Sequence, residues 1–123
     1  MINANLLEKV RQELKLTEEQ HERYALTLTE VDIFLEENQV HFAEDNLLAF
    51  LAHMVTLLMR LETGEKVTGM GAEVLSQLEP DTVSITRKLL KIVEEAYGEP
   101  DGAEIVLVAI HVQTALEMMQ EEM

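Results

Sequence analysis

Two stretches of this chain are almost unbroken apolar sequence, each interrupted by one histidine, and together they leave few folds open. Residues 46–61 read NLLAFLAHMVTLLMRL and residues 104–116 read EIVLVAIHVQTAL. At 3.6 residues per turn, Leu47, Phe50, Leu51, Met54, Leu58 and Leu61 make one apolar face of the first stretch, while Leu48, Val55, Leu57 and Met59 carry apolar surface nearly all round it. A helix of that kind has to be covered on most sides. Two of them in one short chain predict an all-α fold, a bundle of five or six helices built on two central, antiparallel, apolar ones, with residues 1–123 as one domain.

The polar residues inside these stretches are spaced alike. His53 and Arg60 are seven residues apart, which puts them on one line of the helix about 10 Å apart along its axis. Glu104 stands seven residues before His111, so the order of charge and imidazole is reversed. Antiparallel packing with the histidines level would set Arg60 beside Glu104 and the two imidazoles against each other. Such histidines can be core groups, each satisfied by a hydrogen bond, but a buried imidazole needs a partner for both nitrogens. A neutral ring nitrogen is also a good nucleophile, and a phosphoryl group placed on it adds close to two negative charges. Arg60 is the cation on the His53 helix able to answer that charge by bidentate bonding, and Glu104 could orient an imidazole or hold Arg60 in the unmodified state.

Nine basic residues against 24 acidic ones give a formal charge of −15, and no Lys or Arg occurs between Arg23 and Arg60 or after Lys91. A nucleic-acid surface needs clustered bases to neutralise phosphates, so direct binding to DNA, RNA or an anionic membrane is not expected. The absence of cysteine removes disulfides and thiolate metal sites. The first ten residues, MINANLLEKV, lack the order of a signal peptide, and no apolar run is expected to reach the ~18 residues that span a bilayer. A cytoplasmic protein with no cofactor is the resulting expectation.

Along the chain, Asn3 or Asn5 can cap a first helix with Leu6, Leu7, Val10 and Leu14 inward. Thr17 and Gln20 have capping-box spacing and open a second helix with Tyr24, Leu28, Val31 and Leu35 at heptad-like intervals, closed by Asn38 and Gln39. Glu44 or Asp45 suits the N-terminus of the helix holding His53, and Gly64 suits its end. Residues 65–71 read as a glycine-rich loop, and residues 72–78 as a short helix ended by Pro80. Asp81 or Thr82 should cap a helix over 83–97 with Ile85, Leu89, Ile92, Val93 and Ala96 inward. Gly98, Pro100 and Asp101 then mark the turn into the last helix.

Other chemistries find little support. Glu18 to His21 spells E-x-x-H, the helical spacing of carboxylate di-iron bundles, but there is one copy where such sites need two, so no metal is expected. His21 and His41 lie among polar residues and read as surface groups. No Gly-x-Ser-x-Gly elbow or P-loop occurs, and no catalytic residue is assigned.

The stretch HMVTLLMR, with an arginine seven residues after His53, and EIVLVAIHVQTAL, with Glu104 seven residues before His111 and an alanine-leucine pair after it, resemble the two signature regions of the PTS regulation domain, the PRD. Ala103 stands where that family usually has an aspartate. The resemblance implies a five-helix bundle that dimerises with His53 and His111 near the dimer surface. It also implies phosphorylation of these histidines by the sugar phosphotransferase system, through HPr or a sugar permease component, to reset quaternary structure and gene expression. The output modules usual in the family are absent from these 123 residues, which makes the chain look like a stand-alone regulation domain, not an enzyme. The alternative is a structural or adaptor bundle, an obligate dimer without phosphotransfer.

Overall fold

The structure is a computed structural model and describes residues 1–65 and 72–121. Among them are six helices and no strand: α1 (Ala4–Leu14), α2 (Glu18–Glu37), α3 (Glu44–Thr63), α4 (Ala72–Leu75), α5 (Pro80–Tyr97) and α6 (Gly102–Glu121). The glycine-rich loop read at 65–71 lies, from residue 66 on, outside the described residues.

The helix starts follow their capping chemistry. Asn3 Oδ1 accepts from the Leu6 N–H at 3.0 Å and opens α1. At α2 both halves of the capping box are made, Gln20 N–H to Thr17 Oγ1 at 3.1 Å and Thr17 N–H to Gln20 Oε1 at 3.0 Å. The α3 helix starts two residues before the apolar stretch, with Glu44 and Asp45 in its first turn, and ends on Gly64, whose φ of 77° is the left-handed conformation glycine adopts freely.

Around α5 the structure departs from the sequence reading. Only residues 72–75 of the short helix are helical, and Pro80 opens the next helix instead of ending the previous one. A proline at the first helical position loses nothing, because its missing N–H would have no partner there. Thr82 therefore lies inside α5, buried, with its hydroxyl donating to Gln113 Oε1. The inner face is rotated accordingly: Thr82, Thr86, Leu89, Leu90 and Val93 are buried, Ile85 and Ile92 are half-buried, and Ala96 is exposed. A threonine can enter the core because its hydroxyl bonds its own helix, as Thr86 does to the Thr82 carbonyl at 2.7 Å.

The α3, α5 and α6 helices pack on one another at the centre of the bundle, with α1 on α3, α2 on α5 and α1, and α4 on α6. Phe50, Leu51, Leu57 and Leu58 of α3 are fully buried in one core with Leu28, Val31 and Leu35 of α2, Leu89 and Val93 of α5, and Val108 and Val112 of α6. A smaller cluster joins Val74, Leu75 and Leu78 to Val106 and Ala109.

The α6 helix corrects the expectation about apolar runs. It has 20 residues with a mean hydropathy of 1.3 over its most apolar window, long and apolar enough by length and composition to cross a membrane. Here it lies against α3, α4 and α5 and carries a buried glutamate paired to α3. Helices of bundle cores share that composition.

Truncating Leu58 to alanine strips the branched end of a fully buried side chain from the middle of α3 and leaves a cavity. The variant should lose about 2–5 kcal/mol of unfolding free energy in urea titrations followed by circular dichroism.

Candidate functional site

Two short local signals aim the site. Asp101 Oδ1 accepts from the Glu104 N–H at 3.1 Å, and the Asp101 carbonyl accepts from Ile105, so the start of α6 is fixed with Glu104 in its first turn. At the other helix, the Gly64 N–H bonds the Arg60 carbonyl, so Arg60 sits in the last turn of α3. The two helices run antiparallel, and these two ends meet.

Arg60 Nη1 donates to Glu104 Oε1 at 2.8 Å. The glutamate side chain is only 3% exposed, the arginine 28%. Two helical turns away the rings of His53 and His111 lie 5.3 Å apart between centroids, inclined at 44°. All four residues singled out by spacing are thus brought together in the arrangement that antiparallel packing requires. His21 and His41 are not part of it: His21 is half-buried at the start of α2 and His41 is exposed in the turn before α3. Among the described residues no group of three or more histidines and carboxylates could hold a metal ion.

The electrostatics of the cluster are incomplete. Nε2 of His53 and Oε2 of Glu104 are buried without a hydrogen-bond partner among the described residues. Burial, then the neighbouring His111, then the Arg60 charge push the His53 imidazole down to about 4. Burial alone pushes His111 down. Burial pushes the Glu104 carboxyl up, against the pull of Arg60, with Asp101 adding to the rise. At neutral pH the site therefore presents two uncharged imidazoles beside an ion pair. That is the nucleophilic form of histidine.

Sequence reasoning missed the aromatic shelf under this pair. Phe50 meets the His111 ring edge-on at 6.1 Å between centroids, and Phe42, from the α2–α3 turn, stacks on Phe50 at 4.6 Å. It also missed a second polar cluster on the far side of the last turn of α3. Glu62 takes a forked pair of bonds from Arg23, at 2.7 and 3.1 Å, and a further bond from the Tyr24 hydroxyl. These partners are 38 and 39 residues apart, and no local pattern announces them. A groove of about 720 Å³ between α5 and α6, lined by Thr82, Ile85, Lys88, Gln113, Leu116 and Met119 among others, contains neither histidine of the pair.

Comparison with known proteins gives one result. The family model of the PRD domain matches residues 28–115, which includes all four site residues. No curated protein and no solved structure matches the chain.

Two outcomes follow for the site. Arg60→Ala strands the Glu104 carboxylate in the core, and the loss should be about 2–3 kcal/mol, below the 3–5 of a fully buried pair because Arg60 is partly solvated. Arg60→Ala combined with Glu104→Gln should recover most of it, as read by a double-mutant cycle in urea. The second outcome concerns pH. The unfolded chain protonates His53 near 6.5 and the native one only near 4, so His53 adds stability that is complete above pH 6.5 and is lost as pH falls to 4. The stability difference between wild type and His53→Gln should shrink over that window in unfolding curves taken at successive pH values.

Proposed function

This chain belongs to the PRD family, a family of regulatory and not catalytic domains serving the sugar phosphotransferase system, and from that premise we propose that His53 and His111 accept or sense a phosphoryl group. Arg60 and Glu104 form the network that registers it. The observation that carries this reading is the pair of neutral imidazoles 5.3 Å apart, one with an unpaired nitrogen, in line with the Arg60–Glu104 ion pair. A purely structural bundle would call for core histidines with both nitrogens satisfied.

A phosphoryl group at either ring brings nearly two negative charges toward Arg60 and competes with Glu104 for it. Glu104 cannot turn to water, since it is almost wholly buried. The ion pair joining α3 to α6 is then rearranged, and with it the outer surface of both helices. That surface carries exposed Ile110 and half-buried Leu107 and Ala52, apolar groups suited to a second copy of the chain. The proposed output is a change in homodimerisation or partner binding that feeds transcriptional control in the cytoplasm, with the phosphocarrier HPr or a sugar permease component as donor. The strongly acidic surface suits a basic face on that donor.

Incubation with phosphotransferase donors should give acid-labile, alkali-stable phosphate on the wild type and none on a His53→Asn/His111→Asn double variant. Chromatographic sizing should differ between the phosphorylated and unmodified forms. A wild type that takes up no histidine-bound phosphate from any donor would exclude the reading.

A further inference from the structure

The two imidazoles are not equivalent. Of their four ring nitrogens, Nε2 of His53 is the one that is buried without a hydrogen-bond partner among the described residues. A neutral imidazole keeps its proton on one nitrogen and its in-plane lone pair on the other. At His53, a proton held on Nε2 would be a buried donor with no acceptor, which folded proteins seldom keep. The Arg60 guanidinium, which acts on the same ring, also favours electron density over a further proton. The proton therefore rests on Nδ1 and the lone pair on Nε2, which is covered while His111 is bare. His111 is half-buried beside exposed Ile110, as His53 is half-buried on α3, but neither of the His111 ring nitrogens is among the described buried atoms that lack a partner.

We propose that His111 carries the phosphoryl group and that His53 is its positioning partner, with Nε2 taking up a proton and donating it to a phosphoryl oxygen. The assignment rests on the phosphoacceptor reading above and says which ring does which task. It also gives the orphaned nitrogen of His53 the partner it lacks in the unmodified state. The groups facing His53 are His111 from α6 and Arg60 on α3 itself, with Glu104 of α6 behind Arg60. Burial and the Arg60 charge keep His53 neutral while His111 is bare. A dianion on the ring 5.3 Å away reverses that balance, since an opposite charge at such range favours the charged form.

Phosphoramidate, a small phosphoryl donor, tests the assignment without a protein partner. The His111 lone pair forms the new N–P bond as the N–P bond of phosphoramidate breaks. Ammonia leaves with that electron pair, and the proton displaced from the His111 ring reaches it through solvent. The proton gained by His53 comes from the buffer.

Site mapping of the labelled wild type by mass spectrometry under alkaline conditions should find the phosphate on His111. The label should persist in His53→Gln and vanish in His111→Gln, with circular dichroism confirming that both variants stay helical. Nitrogen NMR of the wild type at pH 7 should show the His53 ring neutral before labelling and protonated after it, a change that a merely structural histidine would not make. Phosphate mapped to His53, or a His53 ring that stays neutral while His111 is labelled, overturns this assignment and leaves the phosphoacceptor reading standing. Absence of label from every histidine, with phosphoramidate and with the phosphotransferase donors alike, overturns both.

Discussion

The structure depends on a carboxylate that has been taken out of water. Glu104 is buried in the first turn of α6, and a buried charge costs several kcal/mol unless an opposite one meets it. Its partner is in the last turn of α3. First turn against last turn fixes both the antiparallel direction and the register of the two helices, which apolar surfaces alone would leave free to slide. Once Arg60 and Glu104 meet, equal seven-residue intervals bring His53 and His111 level without further instruction. The ion pair is one of the contacts that set where the two imidazoles lie, with Asn46 Nδ2 bonding Met118 Sδ at the other ends of the same helices.

In the proposed function the same pair links stability to signal. Both helices that meet there are apolar round most of their circumference, and the ion pair is a charged contact set within that apolar surface. A phosphoryl charge on histidine, as proposed, acts on that ion pair. The last turn of α3 is also held from its other side, where Glu62 joins Arg23 and Tyr24 of α2. The second polar cluster thus begins two residues on from Arg60 and joins α3 to α2.

Much of this is legible in the sequence, for local reasons. Caps at Asn3, Thr17 with Gln20, and Asp101 with Glu104 span three residues each and appear as written. The site is legible because its two halves repeat one interval in opposite order, and only antiparallel packing satisfies both. What escapes needs information from other parts of the chain. Pro80 is compatible with the end of one helix or the start of the next, and in the structure it opens α5, with Thr82 packed on Gln113 of α6. The inner face of α5 is misplaced from sequence because threonine reads as polar until its hydroxyl is seen to bond within its own helix. Phe42 looks like a loop residue because its place beneath Phe50 is set by the turn. The inequality of the two histidines depends on which nitrogen is covered, and spacing carries no trace of that.

The most direct test of the register is a proton NMR measurement on the unmodified protein. Rings 5.3 Å apart should give a nuclear Overhauser cross-peak between the side chains of His53 and His111, and both should titrate below ordinary histidine, His53 near 4. Two histidines without a cross-peak, each titrating near 6.5 as in an exposed peptide, would contradict the account at its base.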